Sequence, residues 1–280
     1  MSKTLLYRNE EWLRNQFELY KTPTEVAKQT GFARTCITRY ATKFGIYQTR
    51  GTRESKLHIR SDYFKKIDSS NKAYFLGFIM ADGCMYQKKD ESKHYQFSIK
   101  IQERDVNILE KFCEEIEFDK TKIRYRTSTR NNTECRTVEI QINNQDFCKD
   151  LINHGIQPQK SGKEYMPNCN GFEVDFIRGF IDGDGWVYKM IPSSSDKPRY
   201  DIGFCSTSTQ IIKDINTFIK DTMNIEMTTT ESKNVITSKK CAKYEVFKIL
   251  NRIYYDDCLS LNRKNKVAQE IRKEIYNELF

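Results

Sequence analysis

No apolar stretch in this 280-residue chain reaches the roughly 18 residues that a membrane span requires. Mean hydropathy is low, at -0.73. Nine cysteines form no Cys-x-x-Cys pair, and histidines number only three, so a structural zinc site has little support. An odd, widely spaced set of thiols also argues against a disulfide framework and for reduced, mostly buried cysteines. The opening "MSKTLLYRNEEWLRNQF" lacks the apolar block and small-residue cleavage site of a secretory leader, so an intracellular protein is expected.

What is present is basic charge, unevenly placed. Formal net charge is +9; residues 1–60 carry 12 Lys/Arg against 5 Asp/Glu, while residues 61–280 carry 35 against 33. A polyanion-contacting attachment at the amino end fits that imbalance. Within it, "NEEWLRNQFELY" predicts a helix capped by Asn9, with Trp12, Leu13, Phe17 and Tyr20 on one side. "TPTEVAKQTG" predicts a second, capped by Thr22 or Thr24 and stopped at Gly31. "FARTCITRYATKFGI" predicts a third, burying Ile37, Tyr40, Ala41 and Phe44. Three short helices with a glycine turn between the second and third resemble a helix-turn-helix domain. Arg34, Thr35, Thr38, Arg39 and Thr42 would then face a DNA major groove. The following polar segment carries Arg50, Arg53, Lys56 and Arg60, spaced for a linker along phosphates or in a minor groove.

The remainder contains a repeat. "AYFLGFIMADGCMY" at 73–86 and "FIRGFIDGDGWVY" at 176–188 superimpose at an offset of 102, pairing Gly77 with Gly179, Asp82 with Asp184, Gly83 with Gly185 and Tyr86 with Tyr188. One Asp-Gly is a turn; two, each ending a glycine-containing apolar segment, indicate duplication. After each motif the pattern runs through strand, helix and strand material. "HYQFSIKIQERD" alternates with Tyr95, Phe97, Ile99 and Ile101 on one face; "KIRYRTST" and "RTVEIQI" read as strands, "QIIKDINTFIKDTM" as a helix and "KYEVFKIL" as strand material. Lys122, Arg124 and Arg126 share a face opposite Ile123 and Tyr125, a basic surface suited to a DNA groove. Lys100 lies on the polar face of its own strand. The expected fold is an α/β body with antiparallel sheets, one per repeat.

"YFLGFIMADG" and "FIRGFIDGDG" resemble the paired signature of the LAGLIDADG homing endonucleases, as do "GIQPQKS" at 155–161 and "LNRKNK" at 261–266. The resemblance implies tandem αββαββα-like repeats related by a pseudo-twofold, with antiparallel saddle sheets, acting as a monomer on long double-stranded DNA. Together with the amino-terminal reading, it gives an expected division into helix-turn-helix 1–47, basic linker 48–62, first repeat 63–155, inter-repeat linker 156–172 and second repeat with a carboxyl-terminal helix 173–280. Gly77 and Gly179 would let the two motif helices approach closely.

By the same resemblance, Asp82 and Asp184 meet beside the two scissile strands and bind Mg²⁺, joined by the carbonyls of Ala81 and Gly183. Mn²⁺ would substitute; Ca²⁺ would bind without supporting cleavage. Such an ion relieves two adjacent carboxylates and stabilises phosphodiester hydrolysis. Lys160 and Lys264 match a basic position near the active centre, with Arg263 a competing match for Lys264. Gln102 resembles a residue of the water network, with Cys205 or Ser206 as its second-repeat partner. Cleavage would leave short 3′ overhangs, in a cytoplasmic or nucleoid-associated protein encoded by an intron, phage or other mobile element. Two alternatives remain: a DNA-binding transcriptional regulator on an inactive body, or an RNA-binding intron maturase.

Overall fold

The computed structural model describes residues 3–47, 59–87, 94–130, 133–193 and 197–279. By internal contacts the chain divides into two compact units, Met1–Leu57 and His58–Phe280. The first holds helices α1 (Glu10–Tyr20), α2 (Pro23–Thr30) and α3 (Arg34–Lys43). Asn9 and Thr22 cap α1 and α2 by accepting the backbone N–H groups of Trp12 and Glu25, and Gly31 ends α2 with φ 75°. Leu13, Phe17, Val26, Ile37 and Ala41 form its core, flanked by Trp12, Phe32, Tyr40 and Phe44.

The second unit begins, among helices, with α4 (Ser70–Asp82), followed by β1 (Gly83–Gln87), β2 (Tyr95–Gln102), α5 (Val106–Glu115), β3 (Arg124–Arg130), β4 (Thr133–Ile142) and α6 (Gln145–Asn153). The order recurs in α7 (Glu173–Asp184), β5 (Gly185–Met190), β6 (Arg199–Ser206), α8 (Thr209–Met223), β7 (Thr228–Ser232), β8 (Val235–Lys240) and α9 (Lys243–Ile253), with α10 (Asn262–Leu279) added. Each repeat builds one antiparallel four-stranded sheet, β1-β2-β4-β3 and β5-β6-β8-β7. This is the tandem, pseudo-twofold α/β saddle expected. The period of two sets the faces: Phe97, Ile99 and Ile101 are buried with Val138, Ile140 and Ile142, while Lys100 and Gln102 are exposed.

Helices α4 and α7 form the centre. Residues Lys72 to Met80 are buried without a break, so α4 has no solvent face to satisfy and reads as apolar all round. Backbones touch where the glycines sit. A Cβ on Gly77 would lie 1.9 Å from the Phe176 carbonyl oxygen, and one on Gly179 would lie 2.0 Å from that of Tyr74. Tyr74 and Phe176 are themselves repeat equivalents, so the contact is twofold. At the helix ends, a Cβ on Gly83 or Gly185 would meet the carbonyl of Ile79 or Ile181 at 2.5 or 2.7 Å. Glycine after the acid therefore lets each helix turn straight into its strand.

Three expectations change. Lys122 is not on a strand: Lys120–Lys122 form a 3-10 turn because Asp119 accepts the Thr121 N–H, and β3 starts at Arg124. Tyr125 is 60% exposed, on a strand at the edge of the sheet. "KYEVFKIL" is helical, burying Val246, Ile249, Leu250 and Ile253 at a 3.6-residue period. The second sheet takes its outer pair instead from β7 and β8.

Candidate active site

The two motif helices end together. A Cβ on Gly183 would lie 2.3 Å from the Ala81 Cβ and 3.2 Å from Asp82 Oδ2, so the repeat-two backbone closes against the repeat-one acid. Asp82 is half-buried and Asp184 exposed. Loss of hydration, reinforced by the neighbouring Asp184 charge, pushes the Asp82 carboxyl up to about 6. Asp184 is also raised, first by loss of hydration, with Lys160 and Lys264 opposing and Glu164 adding.

An acid at a helix's carboxyl end carries the wrong sign for the dipole; a lysine there carries the right one. Both lysines occupy that place. Buried Lys160 donates through Nζ to the carbonyls of Met80 at 2.6 Å and Ala81 at 3.2 Å, at the end of α4. Buried Lys264 donates to Ile181 at 2.6 Å, Asp182 at 2.8 Å and Gly185 at 2.6 Å, at the end of α7. Burial lowers Lys264 to about 8, against the pull of Asp182 and Asp82. Both ammonium groups thus satisfy backbone carbonyls left open by the helix ends.

A cleft of about 260 Å³ lies beside Asp82, lined by Lys100, Gln102, Asp105, Gly183 and Arg263 among others. Gln102 faces it from the end of β2. Strand register corrects its expected partner: Gly83 pairs with Ile99 and Gly185 with Phe204, so Cys205 corresponds to Lys100 and Thr207 to Gln102.

Ahead of Asp184 lies a buried polar network with no counterpart in repeat one. Asp182 is fully buried and accepts Tyr74 Oη and Tyr254 Oη at 2.8 Å each and the Leu261 N–H at 2.7 Å. Burial raises its carboxyl, opposed by the Leu261 N–H, the Lys264 charge and the two hydroxyls. Both tyrosines are held well above their ordinary value, chiefly by burial, and stay protonated donors. Arg178, also fully buried, donates to Asp175 at 2.6 Å and to the carbonyls of Ile253 and Leu259. Its guanidinium packs against the Tyr74 and Tyr255 rings. A buried charge is tolerable when its donors are used in this way.

Paired residues share a face, which sorts the outer surface of each sheet. Lys100, Arg124 and Arg126 fall together with Tyr86, Gln96, Glu139 and Gln141, and Arg126 pairs with Glu139 at 3.3 Å. The matching face of the second sheet carries Trp186, Tyr188, Thr228, Thr230, Thr237 and Lys239. Thr228, Thr230, Thr237 and Lys239 lie on β7 and β8, which the sequence pattern does not mark as strands, whereas Trp186 and Tyr188 lie on β5, where the repeat offset pairs Tyr188 with Tyr86. On α3, Arg34, Thr35, Arg39 and Thr42 are exposed, while the Thr38 hydroxyl donates back to the Arg34 carbonyl. Arg60 is exposed on the second unit, its N–H bonded to Ile116. Arg50, Arg53 and Lys56 lie outside the described residues. Among the described residues, no three or more His, Cys, Asp or Glu side chains group to hold a metal ion, and no helix is long and apolar enough to cross a membrane.

Residues 75–157 match the family described as LAGLIDADG endonuclease. A crystal structure of the LAGLIDADG homing endonuclease I-GzeII with its DNA target shares the fold at a TM-score of 0.50 and 13% identity, covering 74% of this chain and 91% of that one. The meganuclease I-AabMI, bound to uncleaved DNA, gives 0.48 and 14%, covering 73% and 91%. No curated protein matches. The family model thus covers the first repeat, and the likeness to the solved structure is one of fold.

Proposed function

We propose that this protein is a site-specific homing endonuclease that makes a metal-dependent double-strand break in a long DNA target and leaves short 3′ overhangs. The observation that carries this reading is the meeting of two glycine-packed helix ends, each presenting an acid, Asp82 or Asp184, at the junction of two sheets. The family match and the DNA complexes of similarly folded enzymes support it.

The donor set suits a hard divalent cation. Both carboxyls are raised by their surroundings, the Asp184 charge contributes to the Asp82 shift, and all four candidate ligands, Asp82, Asp184 and the carbonyls of Ala81 and Gly183, are oxygens. Mg²⁺, with Mn²⁺ as substitute and Ca²⁺ as an inert analogue, would supply charge neutralisation on the phosphate and a more acidic water. The chain's own residues do the rest. Lys160 and Lys264 hold the helix-end carbonyls, fix the acids' backbone and add positive charge near the phosphates. Gln102, exposed in the Asp82 cleft, orients water.

The three helices of the first unit act as a helix-turn-helix, with Arg34, Thr35, Thr38, Arg39 and Thr42 of α3 toward the major groove. Arg50, Arg53, Lys56 and Arg60 follow the phosphates. Lys100, Lys122, Arg124 and Arg126 serve the first sheet's side of the duplex. The internal repeat removes any need for a second chain, so the protein acts as a monomer. It works inside the cell and belongs to an intron, phage or other mobile element.

The test is selection of cut sites from a randomised duplex library with Mg²⁺ and, separately, Ca²⁺. Enriched duplexes should be cut in both strands with Mg²⁺ and only bound with Ca²⁺. Asp82→Asn and Asp184→Asn should each bind but nick or fail to cut. Tight binding without cleavage in Mg²⁺ or Mn²⁺ would instead identify a DNA-binding regulator.

A further inference from the structure

Lys264 spends its three donors on carbonyls, but its neighbour does not. Arg263 Nε sits 3.1 Å from both carboxylate oxygens of Asp105, joining the second repeat to the first. The Asp105 side chain is 10% exposed and the Arg263 side chain 40%. Nη1 and Nη2 of Arg263 make no hydrogen bond among the described residues. Arg263 lines the cleft beside Asp82, and with Asp105 also forms the wall of an adjoining cleft of about 190 Å³ that carries Arg104 and Lys111. A guanidinium tethered at Nε keeps its terminal fork oriented, which is the geometry that grips two phosphate oxygens.

At the equivalent positions the other half carries neither member of this pair. Aligning the two helix-capping lysines places Gln159 opposite Arg263, and strand register places Gln210, which donates to Asp214, opposite Asp105. Building on the nuclease reading, we propose that Arg263 grips the scissile phosphate of one DNA strand only, through Nη1 and Nη2, with Asp105 as its positioning residue. The two strands are therefore cut by unlike sites. The guanidinium also offsets the charge that Asp105 and Asp82 place on the cleft.

The experiment uses the full chain and a duplex enriched by the wild-type protein, each strand labelled separately. Arg263→Gln should slow one strand ~100-fold, the scale of losing one oriented charge-stabilising donor, and leave the other strand unchanged, so nicks of one polarity accumulate. Arg263→Lys should be intermediate, because a point charge replaces a fork. Asp105→Asn should slow the same strand less, through kcat rather than KM. Binding in Ca²⁺ gives an independent readout: Arg263→Gln should reduce the slope of log affinity against log salt by about 1, the loss of one phosphate contact. Equal slowing of both strands, or an unchanged salt slope with unchanged cutting, would show that Arg263 only ties the repeats together. Wild-type protein that binds but does not cut would defeat the nuclease reading while the salt slope still decides the phosphate contact; wild-type protein that binds no duplex would remove both.

Discussion

Gly77→Ala tests the central packing and its functional consequence together. The added Cβ would fall 1.9 Å from the Phe176 carbonyl oxygen, a backbone atom that cannot swing aside. Since Cβ contacts below 3.0 Å are not tolerated, α4 and α7 must separate by about 1 Å at the crossing. Overpacking of this kind costs about 1–3 kcal/mol, and a backbone obstacle puts it at the upper end. Alanine returns about 1 kcal/mol of helix propensity. The net loss should be about 2 kcal/mol, read as a lower urea midpoint with unchanged slope. A displacement of about 1 Å between the two acids should also slow single-turnover cleavage by about 100-fold. Gly179→Ala should behave alike, and the double variant should cost less than the sum, because one separation relieves both contacts. Unchanged midpoint and rate in Gly77→Ala would refute the claim that close approach at the crossing sets the site.

Three further outcomes follow from the same geometry. Asp82 has a folded value of about 6 against 3.8 in the unfolded chain, so this group removes about 3 kcal/mol of stability as pH rises from ~4 to ~6. In chelator, Asp82→Asn should therefore be more stable than wild type above pH 6 and equal to it near pH 4; urea titrations at the two pH values check this. Asp182→Leu should cost more than about 3 kcal/mol by leaving two hydroxyls and an N–H unpaired, and Tyr74→Phe should cost far less in that background than alone. Deleting residues 1–57 should weaken duplex binding at least about tenfold while leaving the single-turnover rate at saturation unchanged, as expected when a tethered second module contributes through effective concentration; equal affinity would dissociate that unit from DNA binding.

The centre of the fold was legible because its constraint is local and duplicated. Glycine, acid and glycine recur at one spacing, and each has a backbone reason visible within a single helix turn. Caps at Asn9 and Thr22 were legible for the same reason. The outer strand β7, "TTTES", was not: every residue is exposed, so no alternation marks it. Helix α9 was hidden by its β-branched and aromatic residues, whose burial at 246, 249, 250 and 253 shows only when the period is followed to Ile253. Lys160 and Lys264 were found as positions, but not their contacts, because their carbonyl acceptors lie 79–83 residues away. The Arg263–Asp105 pair spans 158 residues and leaves no local pattern at all.

The Tyr74–Asp182 bond has an evolutionary corollary. Tyr74 aligns with Phe176, and Asp182 with Met80. A dimer of two first halves would strand each phenol against a thioether; a dimer of two second halves would leave each carboxylate with Tyr254 and Leu261 but set a benzene ring where Tyr74 donates. Either homodimer would bury polar atoms without that partner, at about 1–3 kcal/mol apiece. The halves have diverged from copies into a lock and its key, and separating the genes for them would produce two partners for each other rather than two independent enzymes.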